Sequence, residues 1–123
     1  MAITVSQVSL YYQDQDAALR FWTEQVGFEV ATDLPYGQDR WIEVAPPGGG
    51  VRLVLYKAAP DWPSLSSDKP NYVLFEADDL VKTHEELSAR GVRFTMEPKQ
   101  EGWGWSAVFT DPEGHLFHLG QKR

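Results

Sequence analysis

The chain has no cysteine. That excludes disulfides, thiolate metal ligands and a cysteine nucleophile, and it agrees with a reducing compartment. Basic residues are few: 11 Lys and Arg stand against 18 Asp and Glu, a formal charge of -7, and they are scattered without a stripe. Such a balance repels phosphate backbones, so nucleic acid is not an expected partner. No apolar run approaches the roughly 20 residues of a membrane span, and the opening MAITVSQ lacks a basic region followed by an apolar one. The expectation is a cytoplasmic protein with no membrane partner. Serine, histidine and aspartate do not fall in the order of a hydrolytic triad. The Pro47 to Gly50 run has neither the lysine nor the helix start of a phosphate loop.

What the chain does have is 42% hydrophobic residues over 123 positions, enough for one core and one domain. A clear signal is Asp111 to Gly120, DPEGHLFHLG, in which turn chemistry leads into the alternating polarity of a half-buried strand. Subtracting 64 lands on Pro47 to Tyr56, PGGGVRLVLY, with Gly50 under Gly114, Leu53 under Phe117 and Leu55 under Leu119. The same offset pairs Leu10 with Leu74, Asp14 with Asp78, Gly27 with Gly91, Trp41 with Trp105 and Val44 with Val108. Ungapped agreement over this length points to a duplicated supersecondary unit.

Taken in order, Ile3 to Tyr12 alternates as a strand, with Val8, Leu10 and Tyr12 on one side and Gln7, Ser9 and Tyr11 on the other. Asp14 or Asp16 caps a helix whose apolar residues run from Ala17 to Val26, and Gly27 ends it. Strands are expected from Phe28 to Thr32, from Asp39 to Ala45 and from Val51 to Lys57. Ala58 to Pro70, with three prolines and three serines, is read as a linker. The pattern then repeats: a strand over Asn71 to Ala77, a helix over Leu80 to Arg90 capped by Asp78 or Asp79, and strands at Val92 to Met96, Ser106 to Thr110 and His115 to Gly120. Glu97 to Trp105, EPKQEGWGW, reads as a flexible aromatic loop.

The strand ending in Asp14, the helix AALRFWTEQVGF with its Gly27, the repeat at Asp78 to Gly91 and the closing DPEGHLFHL resemble the vicinal oxygen chelate superfamily of glyoxalases, bleomycin-resistance proteins and extradiol dioxygenases. The resemblance covers essentially the whole chain. It implies an α+β fold in which two βαβββ modules form an open eight-stranded mixed-sheet cup with helices outside. The single domain would divide into module one (1–57), linker (58–70) and module two (71–123). In metal-dependent members four cup-facing positions hold a divalent ion, and here they fall on Gln7, Val54, Tyr72 and His118. A strict offset would put Asn71 in place of Tyr72, but the Tyr72 parity turns Val73, Phe75 and Ala77 toward the helix and leaves Glu76 in the cup. Valine has no donor atom. The expectation is therefore no cofactor, with Gln7 and His118 as the ligands if a divalent metal binds.

Alternation then supplies a wall of Gln7, Ser9, Tyr11, Trp41, Glu43, Arg52, Tyr56, Tyr72, Glu76, Trp105 and His118, joined by Trp103 from the loop. His115 should point away from His118, and His84 sits with Leu80 and Leu87 at helical spacing, which reads as packing. The first functional reading is a small-molecule binding protein of the bleomycin-resistance type, stacking a flat or cationic ligand near Glu43 and Glu76. The alternative is a lyase or isomerase in which Glu43 or His118 is the general base and Arg52 or Gln7 holds developing charge. A third makes the aromatic faces the interface of a homodimer, the assembly the family resemblance implies.

Overall fold

The computed structural model describes residues 2–61 and 73–122. They fall in two compact units, Met1–Pro63 and Ser64–Arg123. The fold class is α+β, and each unit is one βαβββ module carrying a four-stranded mixed sheet.

In the first unit the elements are β1 (Gln7–Tyr12), α1 (Gln15–Arg20), β2 (Glu29–Tyr36), β3 (Asp39–Ala45) and β4 (Arg52–Lys57), in sheet order β1-β4-β3-β2 with β1 parallel to β4. Asp14 caps the helix, its carboxylate accepting from the Ala17 amide at 3.0 Å. The helix widens into a π turn over Phe21–Gln25 before Gly27, at φ 95°, ends it. That turn carries two large rings, Phe21 and Trp22, into the core, which also buries Leu10, Tyr12, Ile42, Val44, Leu53 and Leu55. Trp22 Nε1 donates to the Tyr12 hydroxyl at 3.0 Å, so the largest core side chain is also satisfied.

The helix start is tied to the sheet by polar contacts. Gln15, 8% exposed, donates through Nε2 to the carbonyls of Arg40 at 2.7 Å and Leu55 at 2.8 Å. Arg40 joins α1 to β2 by pairing with both Asp16 and Asp33. Its hydrogen bonds hold the Asp33 carboxyl below the usual range and raise the guanidinium.

The second unit contains β5 (Leu74–Glu76), α2 (Leu80–Ala89), β6 (Arg93–Glu101), β7 (Gly104–Thr110) and β8 (Leu116–Lys122), in sheet order β5-β8-β7-β6. Asp79 caps α2 through the Lys82 amide, and Gln121 Oε1 accepts from the Leu80 amide at 2.6 Å. Phe75, Phe94, Phe109 and Phe117 stack under the helix with centroids 5.4 to 5.9 Å apart. His84 packs edge-on against Phe94 at 4.6 Å, the packing role its spacing implied. Asp111 knots the last turn: its Oδ1 accepts from the Glu113 and His115 amides, and Oδ2 lies 2.7 Å from His115 Nδ1.

Several expectations are corrected. β1 begins at Gln7 rather than Ile3, and β2 runs on from Thr32 to Tyr36. The largest correction is the loop expected at Glu97 to Trp105, which is instead a hairpin: β6 continues to Glu101 and β7 starts at Gly104. Gly104, at φ 153°, is what lets β7 lie against β8, because a Cβ there would sit 2.0 Å from the Gln121 carbonyl oxygen. Most of the expected linker, together with Asn71 and Tyr72, lies outside the described residues. Among the described residues no helix is long and apolar enough to cross a membrane.

Candidate functional site

The helix covers one face of the first sheet, and the other face gathers the chemistry. Strand register puts Gln7 beside Arg52, Ser9 beside Val54 and Tyr11 beside Tyr56, with Glu43 opposite Val54 and Leu34 opposite Trp41. Side chains opposite one another in a ladder share a face. The seven wall residues expected from this module, Gln7, Ser9, Tyr11, Trp41, Glu43, Arg52 and Tyr56, are therefore together.

At one end of this face aromatic rings meet. Tyr11 lies 5.5 Å from Tyr56, Trp41 lies 6.0 Å from Tyr56, and Tyr36 lies 5.5 Å from Trp41 and 6.4 Å from Tyr56. Tyr36 was not among the expected site residues. Its signal was the alternation Thr32, Leu34, Tyr36, hidden because Pro35 and Gly37 read as the end of a strand. Beside the rings is a recess of about 560 Å³ lined by Tyr36, Asp39, Arg40, Tyr56, Lys57 and Pro60 among others. That size suits a small organic ligand. The recess opens where β3 and β4 part: their ladder is confined to Glu43↔Val54 and Val44↔Leu53, and Gln15 takes the carbonyls of Arg40 and Leu55 beyond it.

Glu43, 8% exposed, is braced on all sides. Its Oε2 accepts from Trp41 Nε1 at 2.6 Å, while Oε1 lies 3.2 Å from Arg52 Nε and 3.4 Å from Thr32 Oγ1. A carboxylate so occupied orients the indole and the guanidinium. Three of its roughly four lone-pair sites are taken, which disfavours it as a general base.

In the second unit, register puts Leu74, Glu76, Ser106, Val108, His118 and Gly120 on the face away from the helix. His118 Nε2 lies 2.8 Å from the buried Ser106 hydroxyl, and the Trp103 ring lies 6.0 Å from the imidazole. Gly120 makes the space: a Cβ there would meet His118 Cε1 at 3.1 Å and Trp103 Cη2 at 3.5 Å. Trp103 and Trp105 were both expected on this wall, and the structure separates them. Trp105 pairs with Gln121, whose side chain reaches the start of α2, so Trp105 faces the helix while Trp103 joins His118. Glu76 is on the expected face and exposed, and His115 is held by Asp111 away from His118.

The residues do not fit a divalent metal centre of the family type. Val54 has no donor and is fully buried, and the His118 Nε2 is engaged by Ser106. Among the described residues no three His, Asp or Glu side chains converge.

Comparisons with known proteins agree with this architecture. The protein YetH of Bacillus subtilis (strain 168) is 40% identical over 116 residues, 94% of this chain and 95% of YetH. TnmS3, an antibiotic binding protein from Streptomyces sp. CB03234, has a structure that matches with a TM-score of 0.84 at 36% identity, covering 100% of this chain and 99% of that one. A glyoxalase/bleomycin resistance protein from the same Streptomyces matches with a TM-score of 0.78 at 34% identity, over 96% and 100% of the two chains. With a family model also matching residues 4–119, the chain belongs to the Glyoxalase/Bleomycin resistance protein/Dioxygenase superfamily.

Proposed function

We propose that this protein binds a planar aromatic small molecule on the ring-lined face of its first unit, sequestering it without chemistry and without the divalent metal of the family's enzymes. The observation that carries the reading is the convergence of Tyr11, Tyr36, Trp41 and Tyr56 at ring separations of 5.5 to 6.4 Å beside an open recess. Edge-on ring clusters leave faces on which a flat ligand gains stacking beyond its buried area. The antibiotic binding named for TnmS3 supports a small-molecule ligand. In the same reading the protein is a cytoplasmic homodimer.

The test is a titration of intrinsic tryptophan fluorescence with a panel of planar aromatic antibiotics. A saturable change with at least one of them is expected, and Trp41→Ala should weaken that binding by about tenfold or more. Unchanged fluorescence across the panel would retire the reading.

A further inference from the structure

The charges on the ring-bearing face select among flat ligands. Glu43 is the only buried acid on it among the described residues, and Arg52 Nε already neutralises it at 3.2 Å while Trp41 and Thr32 take two more of its roughly four acceptor sites. With its charge compensated in this way it is a weak attractor for a cationic ligand. Arg52 is in the opposite condition. Its side chain is 43% exposed, and beyond the Nε contact its two terminal nitrogens meet no acceptor among the described residues. Gln7, the register partner of Arg52 on the same face, carries a side-chain amide that also has no partner among the described residues.

The geometry links these donors to the rings. One carboxylate holds the Trp41 indole at 2.6 Å on one oxygen and the Arg52 guanidinium at 3.2 Å on the other, so the indole and the free end of the fork flank a single group. Arg52 and Tyr56 lie on the same strand, roughly 13 Å apart at about 3.3 Å per residue. A fused-ring ligand seated on Trp41 and Tyr56 therefore ends at the guanidinium. Because Nε is fixed by Glu43, the fork is pre-oriented and loses little freedom when an oxygen docks.

We infer that the ligand of this face is a flat fused-ring molecule carrying an acidic or strongly accepting oxygen, a carboxylate or phenolate, that docks on the terminal nitrogens of Arg52 with Gln7 beside it. The inference rests on the ring-stacking reading above and replaces the cationic preference that Glu43 alone would give. At the other end of the site Asp39 lines the recess with Lys57, which offsets its charge, since Arg40 is already taken by Asp16 and Asp33.

Three matched probes decide it: anthracene-2-carboxylate, 2-(hydroxymethyl)anthracene and 2-(aminomethyl)anthracene, followed by anthracene fluorescence anisotropy. The carboxylate should bind the wild-type protein at least about tenfold more tightly than the ammonium, the difference expected of a charge-assisted hydrogen bond, with the alcohol between them. Arg52→Met, which leaves Glu43 uncompensated, should abolish or reverse the order. Glu43→Gln keeps an acceptor for the Trp41 indole and frees the guanidinium from its counter-charge at the cost of the Nε anchor, so the carboxylate should still bind first. If Arg52→Met fails to fold, the wild-type order and Glu43→Gln still decide. Equal binding of all three probes, or the ammonium first, overturns this inference and leaves ring stacking intact. No binding of any probe overturns both.

Discussion

Val54 shows how one side chain redirects an inherited scaffold. It occupies the fourth-strand position at which the family's metal centres need a carboxylate, and it is fully buried with only methyl groups to offer. Opposite it in the ladder stands Glu43, whose oxygens are committed to Trp41, Arg52 and Thr32. A carboxylate freed to bind metal would have to abandon an arginine and an indole, leaving donors unsatisfied in a buried setting. The prediction is that adding nickel, zinc, manganese or iron(II) produces no saturable rise in melting temperature, and that protein purified without chelator carries far less than one equivalent of metal. One bound equivalent with a saturable rise would overturn the metal-free reading. This much was legible in the sequence, because valine lacks a donor in any fold. The commitment of Glu43 was not, since its partners come from β2 and β4 and depend on a register that no local pattern states.

At the scale of the element, the misread strands share one cause. β2 and β6 are both edge strands, and each contains a proline, Pro35 and Pro98. A proline has no amide hydrogen to give to a ladder, but an edge strand has one side that asks for none. Read without the sheet order, proline and the glycine after it look like the end of a strand, and so Tyr36 was missed and EPKQEGWGW became a loop. Capping was easier: Asp14 and Asp79 act through contacts three residues away, within reach of sequence reasoning. Gln15 lies between these cases. It looks like an ordinary first-turn residue, yet its amide donates to two carbonyls where β3 and β4 separate. Gln15→Leu keeps the bulk and removes the donor, so the buried Leu55 carbonyl and the part-buried Arg40 carbonyl lose their partner. The expected cost is about 2 to 3 kcal/mol of stability, read from denaturant midpoints at unchanged slope. Hydrogen exchange should quicken around Arg40 and Leu55. A loss below half a kilocalorie would show that water replaces the glutamine and that the seam is not held by it.

At the scale of the whole molecule the duplication is real but its ungapped register is not. The equivalent caps are Asp14 and Asp79, an offset of 65, whereas Gly27 and Gly91 keep 64. The extra residue in the first helix is absorbed by its π turn. The offset returns to 65 between Glu43 and Val108 and to 64 between Val54 and His118, as the ladders require. Insertions of single residues exchange the faces of a strand, which is why Trp41 and Trp105 matched in sequence yet lie on opposite kinds of face, and why Leu74 is 71% exposed while Leu10 is 6% exposed. The two units have thus diverged into a ring-bearing face and a His118–Ser106–Trp103 face. What they share is an apolar edge. Ile3 and Val5, just ahead of the edge strand β1, are 90% and 70% exposed, and Leu74 sits on the edge strand β5. Bare apolar side chains beside strand edges that pair with no strand among the described residues are a liability in a free monomer and a gain when a second chain covers them. Light scattering at micromolar concentration should therefore give twice the chain mass. The double substitution Ile3→Lys with Val5→Lys should shift the protein toward the monomer, because each lysine places a charge in the contact. A wild-type protein that scatters as a monomer would contradict the dimer, and a variant that stays dimeric would move the interface away from the β1 edge.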